Sequence, residues 1–173
     1  MQADLGKNFF ELFGLPASYD LDLTDLASRY RELQRRFHPD RYATAPDSER
    51  RLAVQMTAQI NAAYQALRDP VARGRYLLSL KGVATDEDTD TRMDPAFLMQ
   101  QMELREALEE ARSAGNRAAR CQALQEQVNM LLDRKVTSLR HALSDDAAVQ
   151  QARALVREMQ FLQKLSREIE SLE

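Results

Sequence analysis

The sequence predicts an all-α protein, with a helical hairpin in its first half and a three-helix bundle in its second. Apolar residues recur every three or four positions along most of the chain, which is the spacing of helices that bury one face. No segment shows the apolar–polar alternation of a strand, and the 173 residues include only five Gly and five Pro. Short connections between the long helical patterns favour antiparallel neighbours.

Two helices are predicted before residue 38. Asn8, followed three residues later by Glu11, is a capping box for a short first helix, and Gly14 is a suitable stop. Asp22 or Thr24 can cap the second helix. The apolar stripe of this helix consists of Leu26, Tyr30, Leu33 and Phe37. This stripe predicts that the helix continues to residue 37.

Two more helices complete the first part of the chain. Ser48 can cap a third helix over residues 48–67, which repeats the same apolar rhythm. Asp69 and Pro70 form a good start for a fourth helix over residues 71–80. We therefore assign residues 1–81 to one domain.

The second part of the chain begins after an acidic segment, residues 82–94, which is poor in large apolar residues and is interpreted as a linker or hinge. Asp94 and Pro95 then open a helix that is expected to end near Ser113. Further helices are expected from about 117 to 143, and from near Ser144 almost to the end. Residues 95–173 are therefore predicted to form the three-helix bundle.

His38, Pro39 and Asp40 lie between the second and third helices. Pro39 has no N–H and disfavours helical geometry at the preceding residue, so His38 and Asp40 should project from a short rigid turn. Arginines precede and follow this turn: Arg29, Arg31, Arg35, Arg36 and Arg41. Two interpretations stay open, namely a cationic docking surface, or an ordinary Pro-Asp loop beside a solvated helix face.

A second candidate surface is predicted on the helix that begins at Pro95. Four apolar residues lie within about 60° of one another and predict its buried stripe: Phe97, Leu104, Leu108 and Ala111. Leu98, Met99 and Met102 lie well away from that stripe. Three acidic residues continue the off-core face: Glu103, Glu106 and Glu110. Either a second neighbouring helix buries Leu98 and Met102, or the face is an apolar, carboxylate-rimmed site for a protein partner.

Composition argues against several classes of function. The formal net charge is −3, with +2 in residues 1–81 and −5 in the remainder, which gives little reason to expect nucleic acid. Cys121 is the sole cysteine and falls on an apolar stripe, so we expect a buried thiol and neither a disulfide nor a metal site. Neither a signal peptide nor an apolar run of membrane-spanning length is found, and a reducing cytoplasm is the expected location. No nucleophile–base pair, phosphate loop or metal-ligand set supports an enzyme.

With the helices placed, residues 1–81 resemble a J-domain, in which a short helix precedes a helical hairpin with His-Pro-Asp in its loop. Five segments and the layout of the whole chain further resemble the HscB-type co-chaperones of iron–sulfur cluster assembly. The segments are Phe-Gly-Leu-Pro at 13–16, Gln-Ile-Asn-Ala-Ala-Tyr at 59–64, Asp-Pro at 69–70, Arg-Tyr-Leu-Leu at 75–78 and Phe-Leu-Met at 97–99.

The resemblance implies two partners and no cofactor. The His38-Pro39-Asp40 turn and the arginines named above would dock on HscA, a DnaK-class chaperone, and stimulate its ATP hydrolysis. The bundle would bind the cluster scaffold protein IscU through positions that match the family's contacts: Leu98, Met99, Met102, Glu103, Glu106, Glu110 and Phe161. Ala27 and Glu32 stand where J-proteins of the general chaperone often have basic residues, which implies weaker pairing with that chaperone.

Two alternatives to this interpretation have less support in the sequence. A general J-protein would deliver unfolded clients to DnaK, but such proteins often add Gly/Phe-rich or Cys-rich segments, which this sequence lacks. A helical nucleic-acid-binding protein would insert the arginine-bearing second helix into a groove, but that helix has few donors suited to base edges and the second half of the chain is acidic.

Overall fold

The computed structural model describes residues 6–85 and 94–172, and within these ranges every regular element is helical. The prediction of an all-α protein is therefore confirmed. The helices are α1 (Phe9–Leu12), α2 (Leu23–Phe37), α3 (Asp47–Arg68), α4 (Pro70–Leu80), α5 (Pro95–Ser113), α6 (Arg117–Leu143) and α7 (Val149–Glu170), with 3₁₀ turns at Pro39–Tyr42 and Asp146–Ala148. The chain divides into two compact units, residues 1–77 and 78–173, and the division falls inside α4.

The first unit is built on the hairpin of α2 and α3. The rings of Tyr30 and Tyr64 stack across the hairpin with their centroids 4.0 Å apart, and the Tyr30 hydroxyl donates to Asn61 Oδ1 at 2.9 Å. Leu26 of α2 and Ile60 of α3 are fully inaccessible to solvent, and Phe37 is buried, while Tyr30 and Leu33 are half-buried. This packing confirms the helical hairpin that the resemblance implied.

Helix α1 is held by caps and by aromatic contacts. Asn8 and Glu11 form the predicted capping box, each side chain accepting from the other residue's backbone N–H at 2.9–3.0 Å. Phe9 donates its backbone N–H to the Tyr76 hydroxyl at 2.9 Å, and the two rings stack. Gly14 ends the turn with φ of +64°, a conformation that side chains other than glycine rarely adopt.

The second unit is an antiparallel bundle of α5, α6 and α7. Gln125 donates to Ser166 and Lys135 pairs with Glu158, so the residue numbers of α6 and α7 run in opposite directions. One apolar cluster of the bundle core is composed of Leu104, Leu108, Ala111, Cys121, Leu124, Val128, Leu162, Leu165 and Ile169. The Cys121 thiol is completely buried, as predicted.

Two helix starts differ from the sequence prediction. Helix α3 begins at Asp47, one residue before the predicted cap Ser48, because Pro46 already holds the non-helical conformation of the residue before the helix. The last helix begins at Val149, since a 3₁₀ turn capped by Asp145 comes first. The predicted linker, residues 82–94, falls mostly on residues 86–93, which lie outside the described ranges.

Residues 78–85 are part of the second unit. Lys81 is ion-paired with Asp146, which holds the pKa of that carboxyl below its usual value through the hydrogen bond and the charge of the ammonium group. The Arg153 Nε donates to the carbonyl of Ala84 at 2.8 Å. None of the helices in the described part of the chain combines the length and apolar character needed to cross a membrane.

Candidate functional site

The His38-Pro39-Asp40 turn presents two polar side chains to solvent. Helix α2 ends at Phe37, and Pro39 begins the 3₁₀ turn. The side chains of His38 and Asp40 are 57 % and 91 % exposed, as the sequence predicted. The imidazole Nδ1 of His38 accepts the backbone N–H of Asp40 at 3.3 Å and lies 3.6 Å from a carboxylate oxygen of the same residue.

The base of this turn is fixed by hydrogen bonds to the carboxyl end of α2. The last carbonyls of a helix have no hydrogen-bond partner inside the helix. Here, side chains from the turn and from α3 donate hydrogen bonds to them. The three bonds run from Arg41 Nη1 to Arg35 O (3.2 Å), from Tyr42 Oη to Arg36 O (3.2 Å) and from Thr57 Oγ1 to Phe37 O (3.0 Å). The turn is therefore a corner tied to the end of α2, which the Thr57 bond links to α3.

A cationic cleft adjoins the corner. It encloses about 550 Å³ and is lined by Arg31, Gln34, Arg35, His38, Arg41 and Thr57. Arg31, Arg35 and Arg36 are exposed on the last turns of α2, together with Arg41 from the 3₁₀ turn. A surface with this charge attracts an acidic partner at long range.

Arg29 has a different environment from the other arginines of the predicted surface. Its Nε donates to the Asp25 carboxylate at 2.9 Å, and its Nη1 donates to the carbonyls of Phe13 and Gly14 at 3.0 and 3.3 Å. The guanidinium thus ties α2 to the turn that ends α1, so its contribution to the first unit is in part structural.

The off-core face of α5 is open to water. Leu98, Met99 and Met102 are 43 %, 64 % and 72 % exposed, whereas Phe97 and Leu104 on the same helix are 4 % and 2 % exposed. The interpretation that a neighbouring helix buries Leu98 and Met102 is therefore wrong. Three apolar side chains exposed side by side on one helix are a feature of protein-binding sites.

The predicted carboxylates lie on the same open face. Glu103, Glu106 and Glu110 are all exposed. Glu110 is ion-paired with Arg120 of α6 at 3.2 Å, while Glu103 and Glu106 form no ion pair with any residue that the structure describes. The apolar patch is thus bordered by negative charge that remains available to a basic partner.

Phe161, the predicted contact from α7, is half-buried against α5. The rings of Phe161 and Phe97 pack edge to face, with centroids 5.8 Å apart and planes at 89°, and the Arg105 guanidinium carbon lies 5.4 Å from the Phe161 centroid. Arg105 was not among the residues predicted from the sequence. The feature of the sequence that could have identified Arg105 is its position seven residues after Leu98, which places both residues on nearly the same side of α5.

Two family models match this chain. The model described as the DnaJ domain matches residues 8–76, and the one described as the HSCB C-terminal oligomerisation domain matches residues 93–170. The chain is 46 % identical over 166 residues to a co-chaperone protein HscB homolog of Vibrio vulnificus, covering 96 % of each.

Solved structures agree with these sequence matches. The structure of chaperone HscB from Vibrio cholerae matches with a TM-score of 0.83 and 42 % identity, over 95 % of this chain and 96 % of that one. Human co-chaperone protein HscB matches with a TM-score of 0.90 and 27 % identity, over 98 % of this chain and 83 % of that one.

The hairpin with its exposed His-Pro-Asp corner, together with the matched domain, defines a J-domain protein. The second matched domain and the full-length relatives narrow the class further. This chain belongs to the HscB family of co-chaperones.

Proposed function

We propose that the chain binds the iron–sulfur scaffold protein IscU and delivers it to the DnaK-class chaperone HscA, whose ATP hydrolysis it stimulates. The chain itself supplies no catalytic residue in this scheme. It acts by occupying two partners at once, which raises their effective concentration near each other. The observation that carries the proposal is that this member of the HscB family presents two exposed surfaces, one on each unit. The first is cationic, and the second is apolar with an acidic border.

The chaperone surface comprises the corner and the cationic face of α2. Its proposed members are Arg29, Arg31, Arg35, Arg36, His38, Pro39, Asp40 and Arg41. Two hydrogen bonds tie the corner to α2 and a third ties that end of α2 to α3, so a partner that binds the corner need not order it first. The exposed arginines of α2 would steer an acidic partner surface towards α2 and so bring the partner to the corner beside it.

The scaffold surface comprises the open face of α5 with Phe161 of α7. Its proposed members are Leu98, Met99, Met102, Glu103, Glu106, Glu110 and Phe161. Protein interfaces usually have apolar side chains at the centre and polar or charged ones at the edge. The same surface favours a partner that offers apolar side chains ringed by Lys or Arg.

Asp40→Ala tests the chaperone surface. We expect it to abolish stimulation of HscA in a single-turnover ATPase assay and to leave IscU binding unchanged, because the corner and the bundle face belong to different units. Glu49→Ala is the matched control, since it removes an exposed carboxylate of the same unit that lies outside α2 and the corner. Unchanged stimulation by Asp40→Ala would refute the assignment.

The triple substitution of Leu98, Met102 and Phe161 by Ala tests the scaffold surface. It should weaken IscU binding in calorimetry, whereas Met130→Ala should not, although Met130 is also an exposed methionine of the bundle, 57 % accessible on α6. Wild-type affinity of the triple variant would rule out the patch.

The choice of chaperone is tested by comparing HscA with DnaK. Ala27 and Glu32 lie on α2, and Glu32 is exposed among the arginines of the docking face. We expect stimulation of HscA to exceed stimulation of DnaK at equal concentration. Equal stimulation of both would favour a general J-protein.

A further inference from the structure

An aromatic pair in the bundle lies between two cations. Phe97 of α5 meets Phe161 of α7 edge to face, Lys135 Nζ lies 5.0 Å from the centroid of Phe97, and Arg105 Cζ lies 5.4 Å from that of Phe161. Both cations are within range for a favourable interaction with the ring. Each cation is also ion-paired with a glutamate of α7: Lys135 with Glu158, and Arg105 with Glu168.

The two ion pairs differ in burial. The side chains of Lys135 and Glu158 are 18 % and 13 % exposed, which places that pair within the framework of the bundle. The side chains of Arg105 and Glu168 are 41 % and 28 % exposed, so the second pair lies at the surface beside the half-buried ring of Phe161. The Arg105–Glu168 pair is therefore in a position to influence the ring of Phe161, which a partner can reach.

Arg105 occupies the border between the buried stripe of α5 and its open face. At about 100° per residue it lies roughly 20° from Leu98 and roughly 60° from Met102 around the helix. Its contact with the Phe161 ring therefore joins α7 to this border of α5. Glu168 accepts a hydrogen bond from the same guanidinium, and this bond holds the pKa of Glu168 below the usual value for a glutamate.

We propose that Arg105, held in place by Glu168, is a positioning residue that fixes the orientation of the Phe161 ring before a partner binds. That IscU contacts this ring rests on the function proposed above. The orientation of the ring in the free protein does not depend on that function. A ring that is already oriented loses less rotational freedom on association than a ring that turns freely. In this scheme Arg105 contributes to recognition through Phe161 and need not contact the partner.

The expected effect follows from the strength of a partly exposed cation–ring contact. Loss of the cation should weaken partner binding by about two- to fivefold. Arg105→Met retains most of the aliphatic stem and removes the charge. Arg112→Met is the matched control, because Arg112 is on the same helix, is paired with Glu109 at 3.5 Å and acts on Glu168 through its charge alone, with no ring contact among the residues that the structure describes.

A fluorine label on the ring of Phe161 tests the orientation in the free protein. We expect one narrow ¹⁹F resonance for the otherwise unchanged chain and for Arg112→Met. Arg105→Met and Glu168→Gln should shift this resonance towards its unfolded position and broaden it, and Arg105→Lys should restore part of the difference. Thermal unfolding of each variant establishes that the bundle is intact. A resonance that is identical in Arg105→Met and Arg112→Met would overturn the proposal.

A double-mutant cycle with IscU tests the consequence for binding. Arg105→Met should lower affinity about two- to fivefold in the wild-type background and have no further effect when Phe161 is already Ala. An equal loss in both backgrounds would mean that Arg105 contacts the partner directly, contrary to the proposal. If the unaltered chain does not bind IscU, the proposed function fails, and the fluorine resonance still decides whether Arg105 positions the ring.

Discussion

Two substitutions on α5 should separate binding from stability. Met102 and Leu104 are two residues apart on one helix, but they are 72 % and 2 % exposed. Met102→Ala removes atoms that are mostly in water, so we expect the free energy of unfolding to change by no more than about 0.5 kcal/mol. Leu104→Ala leaves a cavity in the core cluster of the bundle and should cost about 2–5 kcal/mol.

The order of the effects should be reversed for partner binding. If Met102 becomes buried against IscU, its truncation should cost about 1–2 kcal/mol of binding free energy, which is roughly a 5- to 30-fold weaker affinity. Leu104 does not reach the surface, so the folded fraction of Leu104→Ala should bind nearly as the wild type does. Urea unfolding followed by circular dichroism gives the first quantity, and calorimetric titration with IscU gives the second.

One outcome would refute the reasoning. If Met102→Ala lowered stability by several kcal/mol while its affinity for IscU stayed at the wild-type value, then α5 would bury Met102 inside the fold rather than present it. Met130→Ala provides the baseline, because Met130 is similarly exposed on α6 and should change neither quantity.

Three further predictions concern stability. Glu168→Gln should lower it by about 0.2–1 kcal/mol near neutral pH. Arg105 lowers the pKa of Glu168 in the folded state, so this contribution is complete above the unfolded pKa and should disappear as the pH falls through the folded pKa in an acid titration. Gly14→Ala should cost about 1–2 kcal/mol in thermal unfolding, since φ is +64° and the new Cβ would lie 3.3 Å from Arg29 Nη1. Asp69→Ala should cost about 1 kcal/mol, because its carboxylate caps the first turn of α4 at 2.8 Å.

Each of these has a clear contrary result. If the difference in stability between the wild type and Glu168→Gln stayed constant down to pH 2, the ion pair would not stabilise the fold. An alanine at position 14 or 69 without effect on the melting temperature would show that the strained turn or the cap is not needed.

Most helices could be predicted because their signals are local. The ends of α2 and α5 follow from caps, from Pro and Gly, and from a 3.6-residue apolar period, all of which act within a few residues of the chain. The start of α3 was misplaced by one residue because Ser48 competes with the neighbouring Pro46, and the choice between them depends on the loop that precedes them.

Contacts between distant residues could not be predicted in the same way. The bonds from Arg29 to the carbonyls that end α1 and the stacking of Arg105 on Phe161 join residues from different helices. Periodicity places such a residue on a face of its own helix, but the partner depends on how the helices pack. For the same reason, the sequence left the exposure of Leu98 and Met102 open, and the packing of α5 decided it.

The central claim is that the two surfaces must be carried by the same chain. The direct measurement is HscA ATP hydrolysis with IscU present, in an equimolar mixture of Asp40→Ala and the triple variant Leu98→Ala, Met102→Ala, Phe161→Ala. The mixture contains an intact copy of each surface, but on different molecules. We predict that it lacks the joint stimulation produced by the wild type. Stimulation by the mixture equal to that of the wild type would contradict the claim.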